Sequence, residues 1–395
     1  MTQPGPLWHW SVVIRRERAR LAQDRWDLAM LTWIPLLVSG LTWWIFAAGV
    51  PRDLPVAVVD EDRSSASRTL ARMVAAAPGV DVAEVDPALP AAMGALRERR
   101  AYGVLIFPSG LERDLVGGRS ATVHWIYNGQ FATHGGLLSR DLRTAVATAS
   151  AGIELLAREK RGASVPEAEA HFEPVRLRLA SLFNEGGNYE AFLGLALIPA
   201  LLQIFVTLAA VSAIGRELKA GTVPAWLAAG GGRWSIALLG KLSVPAVAFA
   251  AHAAIFLCFF TWVRGWRIEG SLTGVAVGLT LLIVAHLAIG ALLVGATLHL
   301  RVALALAAFV TAPAFAYSGQ GFPLLSMPLL ARVWAEALPL THYLQAQGRY
   351  WLAGAPLWYG WGPLSALSVQ AGAFGVLGWW LLRRRAATPD AWGRT

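Results

Sequence analysis

The sequence predicts a mainly α-helical polytopic membrane protein with six transmembrane helices and an inserted α/β extracytoplasmic domain. Of the 395 residues, 56% are hydrophobic and only 15% are charged, whereas an ordinary soluble domain carries about 25% charged residues. Charges are absent from six runs of at least 20 residues: Leu28–Val50, Ala191–Ile214, Leu242–Val263, Gly270–Leu300, Val302–Ala331 and Ala353–Leu382. About 20 apolar residues cross a bilayer as a helix, which satisfies its own backbone hydrogen bonds.

The N-terminal segment and the first run are predicted to stay attached to the membrane. Residues 1–27 combine Trp8 and Trp10 with a basic stretch, which favours a helix in the headgroup layer over a frayed tail. The small residues at 47–49 resemble a signal-peptide cleavage site. A signal peptide has an apolar core of about 7–15 residues, however, and this run is longer and follows acidic residues. We therefore predict an uncleaved transmembrane helix over residues 28–50.

Residues 51–188 form the only large polar region and are predicted to fold as an α/β domain. Short β-branched or aromatic runs at Pro55–Val59, Val80–Val85, Tyr102–Phe107 and Thr122–Tyr127 alternate with helical segments. Such alternation predicts a mainly parallel sheet. A long helix is expected at Gly135–Arg161 and a returning strand at Val175–Phe183. The acidic run at 60–62 resembles a metal site, but a helix begins soon after it, so helix capping is the preferred interpretation.

Residues 189–382 are predicted to hold transmembrane helices 2–6, followed by a cytoplasmic tail at 383–395. The stretch 319–356 is apolar but interrupted by prolines, which predicts two short helices in the outer leaflet. Basic residues concentrate in the N-terminal segment, in the loop 215–241 and in the tail, and the positive-inside rule therefore makes both termini cytoplasmic. Topology thus accounts for the net charge of +9, so nucleic-acid binding is not expected.

The motifs of common catalytic sites are missing. Gly230–Gly232 is followed by Arg233 and Trp234, so it is no phosphate-binding P-loop, and neither a zinc-protease motif nor a cysteine pair is found. We therefore predict no catalytic residue, no metal and no cofactor bound by this chain. Ionisable groups in spans are candidates for function, and His286, with Gln203 and Trp33, is a possible substrate path. Simple packing of a neutral histidine is the alternative for His286.

Four groups of residues form recognisable motifs in a fixed order along the chain. They are Asp60, Ser67 and Arg68 after the first span, Asn184, Asn188 and Tyr189 before the second, the stretch Gly215–Thr222, and Pro323, Pro328, Pro339, Leu340, Thr341 and Tyr343 before the last. Together they resemble the permease subunits of type-2 ABC exporters, in the subclass with a large external domain after the first span. Glu185 stands where that family often has proline.

The resemblance implies a permease that works with separate cytoplasmic ABC ATPase subunits, which would bind ATP and Mg²⁺, and with a second permease, identical or paralogous. It implies a coupling loop at 215–235, with Val223–Leu227 as the helix that contacts the ATPase and Glu217 as a polar contact. The coupling residues would be Arg216, Glu217, Lys219, Gly221, Thr222 and Trp226.

The substrate would be an amphiphilic or hydrophobic molecule, such as a drug, a lipid or an envelope component, that moves out across a bacterial inner membrane near spans 1, 2 and 5. The external domain would meet a periplasmic membrane-fusion adaptor. Two other interpretations remain open at this point. One is a membrane-anchored receptor or scaffold with a ligand-binding external domain, and the other is an intramembrane lipid transferase.

Overall fold

The computed structural model describes residues 5–393 apart from 86–87, 99, 117–118, 120, 128–131, 161–183 and 185–186. The chain divides into two compact units. The smaller unit is Val50–Ser181, and the larger unit combines Met1–Gly49 with Leu182–Thr395. The predicted domain 51–188 begins one residue after the start of the smaller unit and ends seven residues after its end.

The smaller unit contains a four-stranded sheet within its described residues. Its strands are β1 (Leu54–Asp60), β2 (Val80–Val85), β3 (Gly103–Phe107) and β4 (His124–Tyr127), in the order β2-β1-β3-β4. β1 pairs in parallel with β2 and β3, whereas β4 runs antiparallel to β3. The central strands are continuous apolar runs because both faces of the sheet are covered: Val56 and Val58 face one core, and Ala57 and Val59 face the other.

Four helices of the smaller unit follow these strands: α4 (Ser65–Ala75), α5 (Leu89–Arg97), α6 (Leu111–Val116) and α7 (Ala132–Lys160). Ser64 caps α4 through a capping box with Ser67, which satisfies backbone N–H groups that have no partner inside the helix. α7 matches the long helix predicted at Gly135–Arg161 to within a few residues. The strand predicted at Val175–Phe183 lies outside the described residues.

The larger unit is helical. Its helices are α1 (Pro6–Gln23), α2 (Arg25–Leu31), α3 (Trp33–Phe46), α8 (Leu195–Lys219), α9 (Val223–Ala229), α10 (Trp234–Cys258), α11 (Leu272–Thr297), α12 (Leu300–Thr311), α13 (Ala314–Tyr317), α14 (Leu329–Ala337), α15 (Pro339–Gln347) and α16 (Trp361–Arg385). Among the described residues, five helical segments are long and apolar enough to cross a membrane: Glu190–Lys219, Trp234–Val263, Leu272–Thr297, Leu300–Tyr317 and Leu357–Arg385. The bent pair α2–α3 makes a sixth candidate.

The first predicted span is not one straight helix. α2 and α3 meet at Thr32 with a bend of 42°. Pro35 lies in the first turn of α3 and has no N–H to donate to the carbonyl of Leu31, so the helical hydrogen-bond ladder is interrupted here. The His252 Nε2 atom lies 2.8 Å from the Thr32 carbonyl oxygen, and its Nδ1 atom lies 2.7 Å from the Ala248 carbonyl oxygen. A side chain of α10 therefore contacts the backbone at the bend.

The fifth predicted span, Val302–Ala331, is longer than the helical segment in the structure. The helical segment ends at Tyr317, after a break at Ala312 and Pro313. Gly319 then adopts a positive φ of 85°, which favours glycine and ends the helical path. The short helices α14 and α15 follow, within the stretch 319–356 where two short helices were predicted.

Glycines bring the central spans of the larger unit close together. α11 packs against both α8 and α16. A methyl group added at Gly290 would come within 2.5 Å of the Ala210 Cβ on α8, and one added at Gly378 on α16 would come within 2.8 Å of the Leu292 backbone nitrogen. Small residues permit such close approach of membrane helices, where van der Waals packing replaces the hydrophobic effect.

Candidate functional site

The amphipathic helix α1 is anchored to one end of the helical bundle, hereafter the α1 end. Its buried residues Val13, Glu17 and Leu21 recur every four positions and therefore share one face. Val13 packs on α10 at Gly240, where an added methyl group would lie 2.9 Å from the Val13 Cβ. Leu7 and Trp8 are exposed on the other side, as is typical of a helix at a membrane surface.

Charged side chains from α1, α2, α8 and α10 meet at the α1 end in an ion-pair cluster. Its members in the described part of the chain are four basic residues and four acidic ones: Arg16, Arg20, Arg216, Lys241, Glu17, Asp24, Asp27 and Glu217. The formal charges cancel within the cluster. Opposite charges at hydrogen-bond distance are the condition under which buried ions are tolerated.

Lys241 lies at the centre of the ion-pair cluster and is 1% exposed. Its Nζ atom donates to Glu217 at 2.8 Å and also to Glu17. Arg16 holds the Glu217 carboxylate from the other side with two hydrogen bonds of 2.9 and 2.8 Å. The Lys241 ammonium also lies 5.5 Å from the centre of the Trp226 ring, within the range of a cation–π interaction. Lys241 thus joins α1, the end of α8, and α9.

Arg20 and Asp27 extend the cluster toward the bend in the first span. Arg20 donates to Glu17 at 2.6 Å and to Asp27 at 2.6 Å. Burial alone would lower the pKa of Arg20, but the hydrogen bonds and negative charges of Glu17 and Asp27 outweigh it and raise that pKa. Arg216 donates to Asp27 at 3.0 Å and pairs with Asp24 at 2.7 Å. α1, α2 and α8 are therefore tied together by charge-assisted hydrogen bonds.

The predicted coupling residues lie at the end of α8, in the turn that follows it and on α9. Residues 215–219 are still helical, and Gly221 ends α8 with a φ of 67°, a conformation common in glycine after a helix. The Thr222 hydroxyl donates to Glu217 and its N–H donates to the Glu217 carbonyl at 2.9 Å. Trp226 is buried, and its indole N–H donates to the Ala237 carbonyl at 3.0 Å. Glu217 therefore fixes the start of α9 as well as α1.

The environment of Glu217 differs from the polar partner contact that the sequence resemblance implied. Its side chain is only 4% exposed and has partners within this chain. The exposed groups around the turn are instead Lys219 and one side of α9, together with the turn that follows it. We define the tip surface by its members: Lys219, Ala220, Pro224, Ala225, Ala228, Gly231, Gly232 and Arg233. The side chains at its centre are small and apolar, and Lys219 and Arg233 flank them.

Two of the three predicted substrate-path residues lie together, and the third does not share their contacts. His286 on α11 lies 2.9 Å from the Thr207 hydroxyl of α8, through Nδ1, and that hydroxyl donates to the Gln203 carbonyl at 2.9 Å. His286 and Gln203 are each 1% exposed. Trp33 lies on α3 and is 56% exposed. The described contacts therefore place His286 and Gln203 in a packed contact between α8 and α11.

The motif after the first span stabilises the start of α4. Asp60 accepts hydrogen bonds from the N–H of Arg63 at 2.8 Å and from the Ser67 hydroxyl at 2.8 Å, and Arg68 donates to the Arg63 carbonyl. Asp62 accepts from the N–H groups of Gly110 and Glu112. Although burial acts to raise the pKa of Asp62, these hydrogen bonds and one from Ser64 lower it. The acidic run thus stabilises helix starts, but the N-cap residue of α4 is Ser64, and Asp62 binds the start of α6 rather than that of the helix that follows it in sequence.

The motif before the second span forms a turn that joins it to the end of the first. Asn188 donates its N–H to Asn184 at 2.9 Å, and the Asn188 side chain accepts from the N–H of Glu190 at 2.8 Å. Tyr189 donates its N–H to the Gly49 carbonyl at 2.9 Å. Glu190, at the end opposite α1, accepts from Arg264 at 2.6 Å and from the Trp43 indole at 2.8 Å. Spans 1, 2 and 3 are therefore joined at this end too.

The prolines of the motif before the last span lie at helix starts, and its other residues are buried in the core. Pro323 precedes a short helical turn, Pro328 is the N-cap residue of α14, and Pro339 is the first residue of α15. Proline is well suited to helix starts because its missing N–H has no helical partner there. Leu340, Thr341 and Tyr343 are fully buried on α15. These residues therefore have structural positions at the end opposite α1.

Sequence reasoning missed the pairing of the ion-pair cluster. Glu17, Arg20, Asp24 and Asp27 follow each other at intervals of three or four residues, which places them on one side of a helical path. Acidic residues at such spacing within a basic segment were the available signal. Their partners on α8 and α10 are distant in sequence: Glu17 and Lys241 are 224 residues apart.

The site has the properties of a mechanical connection. Within the described ranges, no group of three or more His, Cys, Asp or Glu side chains could hold a metal ion. The ion-pair cluster instead links the turn before α9 to α1, to the start of α2, to α8 and to α10. Displacement of α9 would therefore act on several spans together.

A family model described as "ABC-2 family transporter protein" matches residues 25–380, which is most of the chain. No curated protein matches the chain.

Proposed function

The chain belongs to the ABC-2 transporter family, as the permease subunit of an ABC transporter, and from this premise we propose that it exports an amphiphilic or hydrophobic molecule. The family supplies the membrane component, and an ATPase partner is implied with it. In this proposal a drug, a lipid or an envelope component leaves the cell across a bacterial inner membrane. The α1 end and both termini face the cytoplasm.

The tip surface is the proposed contact with the ATPase. Its central residues Pro224, Ala225 and Ala228 lie on α9. This helix is anchored by buried Trp226 and by the Thr222–Glu217 hydrogen bond. Because Glu217 also pairs with Lys241 and Arg16, movement of α9 would be transmitted to α1 and α10. The single observation that carries the proposal is this buried connection between an exposed helix and the spans. ATP and Mg²⁺ would bind to the partner.

Cross-linking from the tip surface tests the proposed contact. The natural Cys258 is replaced by serine, and Ala228→Cys is compared with Trp262→Cys, which is 82% exposed near the opposite end of α10. The full chain is co-expressed with ABC ATPase subunits encoded beside its gene and treated with a short thiol cross-linker. We expect the ATPase to be captured from position 228 and not from position 262. Capture from position 262 alone would reverse the proposed orientation.

Co-purification of an ATPase also separates export from the receptor or scaffold alternative, which requires no such partner. A permease that purifies without any ATPase from cells that express its gene neighbours would contradict the export proposal. Stimulation of the ATPase by the wild-type permease, but not by an Ala225→Asp variant, would support it, because a new charge would lie at the apolar centre of the tip surface.

A second permease is part of the proposal, and we place it along the first and fifth spans. Trp33, Leu37 and Leu41 form one exposed stripe on α3, and Val302 and Phe309 belong to another on α12. Exposed apolar stripes of membrane helices contact either lipid or another helix. Disulfide cross-linking of Phe309→Cys chains in the Cys258→Ser background, compared with Val376→Cys on α16, tests whether α12 lies at an interface between two copies.

The smaller unit is proposed to lie outside the inner membrane, where it would meet a periplasmic membrane-fusion adaptor. Its support is the concentration of Lys and Arg in the N-terminal segment, in the loop 215–241 and in the tail, which the positive-inside rule assigns to the cytoplasm. We expect a membrane-impermeant thiol reagent to label the Arg72→Cys variant in intact spheroplasts. Labelling only after the membrane is opened would contradict this placement.

A further inference from the structure

A cavity of about 180 Å³ lies at the α1 end, between α1, α2, α8, α10 and α12. A water molecule occupies about 30 Å³ in the liquid, so the cavity is large enough for a small chemical group. One wall is polar and is formed by Glu17, Arg20, Asp27, Ser212 and Arg216. The cavity is therefore bounded by the ion-pair cluster.

The other walls of the cavity are apolar and include Met30, Leu31, Leu208 and Leu304. Leu208 and Leu304 belong to helices that cross the membrane, and each is only partly buried. The cavity thus has a charged end and an apolar end, arranged along spans that contact lipid. This is the pattern of an amphiphile with its headgroup at the membrane surface and its chains along the helices.

The charged end carries both basic and acidic side chains, and its Asp27 carboxylate also accepts hydrogen bonds from Arg20, Ser212 and Arg216. The side chains of Arg216 and Arg20 are 38% and 21% exposed, and that of Asp27 is 14% exposed. Each guanidinium has five N–H donors, and the described ion pairs leave some of them on Arg20 and Arg216 without a partner in the described part of the chain. Guanidinium groups are well suited to phosphate oxygens.

We propose that this cavity binds the headgroup of one zwitterionic phospholipid, with its phosphodiester near Arg20 and Arg216 and its ammonium near Asp27. A basic pocket would favour anionic lipids. Here the charged side chains that line the cavity are two acids, Glu17 and Asp27, and two bases, Arg20 and Arg216, so a headgroup that carries one charge of each sign fits best. The proposal goes beyond the transport function and rests only on the chain's position in a membrane. A bound lipid would contact α1, α2, α8 and α12 at once.

Photo-cross-linking in the full chain tests the site. p-Benzoylphenylalanine replaces Leu304, which lines the cavity, and in a matched control replaces Leu306, which lies on the same helix and is 37% exposed. Both variants are reconstituted into vesicles of equal parts phosphatidylethanolamine and phosphatidylglycerol with the same acyl chains. Adducts are identified by mass spectrometry after irradiation, and position 306 reports the composition of the bulk lipid.

We expect the ratio of phosphatidylethanolamine to phosphatidylglycerol adducts to be at least fivefold higher at position 304 than at position 306. Equal ratios at the two positions, or enrichment of phosphatidylglycerol at position 304, would overturn the proposal. Neither result depends on an ATPase, so failure here leaves the export proposal standing, and the ATPase cross-linking above can fail without affecting this site.

A second measurement guards against a variant that disturbs the fold. In Met30→Trp the larger side chain fills the apolar wall, and in the control Leu28→Trp it replaces a residue of the same helix that is exposed and does not line the cavity. Delipidated proteins are titrated with phosphatidylethanolamine and followed by native mass spectrometry. A tenfold loss of one-lipid binding in Met30→Trp alone supports the site, and equal binding by both variants contradicts it.

Discussion

Removal of the Lys241 charge should release α1 from the bundle. In Lys241→Met, Glu17 and Glu217 keep their buried carboxylates but lose a shared cation that is 1% exposed. Removing one partner of a buried ion pair costs about 3–5 kcal/mol. Because Arg20 still pairs with Glu17 and Arg16 still pairs with Glu217, we take the lower end, about 3 kcal/mol. A tenfold change in an equilibrium constant corresponds to about 1.4 kcal/mol, so the population of undocked α1 should rise roughly 100-fold.

Hydrogen–deuterium exchange of the full chain in detergent measures this population. Amides of residues 6–23 should exchange roughly 100-fold faster in Lys241→Met if local opening limits their exchange. The matched control is Lys219→Met, which removes the same charge from an exposed position in the neighbouring turn and should leave the exchange unchanged. Wild-type protection of residues 6–23 in Lys241→Met would refute the reasoning, because the ion pair would then contribute nothing to docking.

A double variant tests whether the effect belongs to the pair. Lys241→Met combined with Glu217→Gln removes one base and one acid, so one uncompensated buried carboxylate disappears as well. We expect the double variant to accelerate exchange less than the sum of the two single effects, since residues in contact show coupling energies of about 0.5–3 kcal/mol. Additive effects would mean that the two side chains act independently.

Three further changes have defined outcomes. Glu190→Gln weakens the contacts with Arg264 and should lower the free energy of unfolding by about 1.5–3 kcal/mol, the contribution of a charged hydrogen bond. A lower melting temperature in detergent than that of the exposed control Arg267→Gln would show this loss. Gly290→Val should impair folding because its Cβ would lie 2.5 Å from a neighbouring Cβ, whereas Gly372→Ala, with open space around it, should melt like the wild type. Asp62→Asn should reduce the exchange protection of residues 103–116 at neutral pH. A carboxylate whose pKa is lowered in the folded protein stabilises the fold at pH values above its ordinary pKa of 3.8, and this contribution is lost as the pH falls through the lowered pKa. The difference in protection between Asp62→Asn and the wild type should therefore shrink in acid. A difference that does not change with pH would contradict this origin.

Uncharged runs were sufficient to predict where the candidate spans lie, because a bilayer selects for long apolar segments whatever the rest of the fold is. They did not predict the ends of the helices. α8 continues through Glu217, and α10 includes Lys241, since a charged residue can remain in a helix when another element supplies the counter-charge. The sequence cannot show that counter-charge when it lies two hundred residues away.

Breaks within the apolar runs were harder to predict than the runs themselves. Pro35 was an available signal for the bend at Thr32, yet proline also occurs inside the spans at Pro199 and Pro245 without ending the helix. At the bend, His252 of α10 contacts the Thr32 carbonyl, and a contact between helices so far apart in the chain has no local signal in the sequence. In the smaller unit, alternation of short apolar runs predicted the parallel pairs of strands, while the antiparallel direction of β4 had no local signal.

The brevity of the fifth candidate span has a consequence for the surrounding bilayer. Leu300–Tyr317 contains 18 residues, and at about 1.5 Å per residue it is roughly 27 Å long, less than the hydrocarbon core of about 30 Å. Lipids beside α12 must thin locally to cover it, at a cost of a fraction of a kcal/mol per Å of mismatch. Membranes with shorter acyl chains should therefore relieve this mismatch, which makes bilayer thickness a physical variable that acts on this protein.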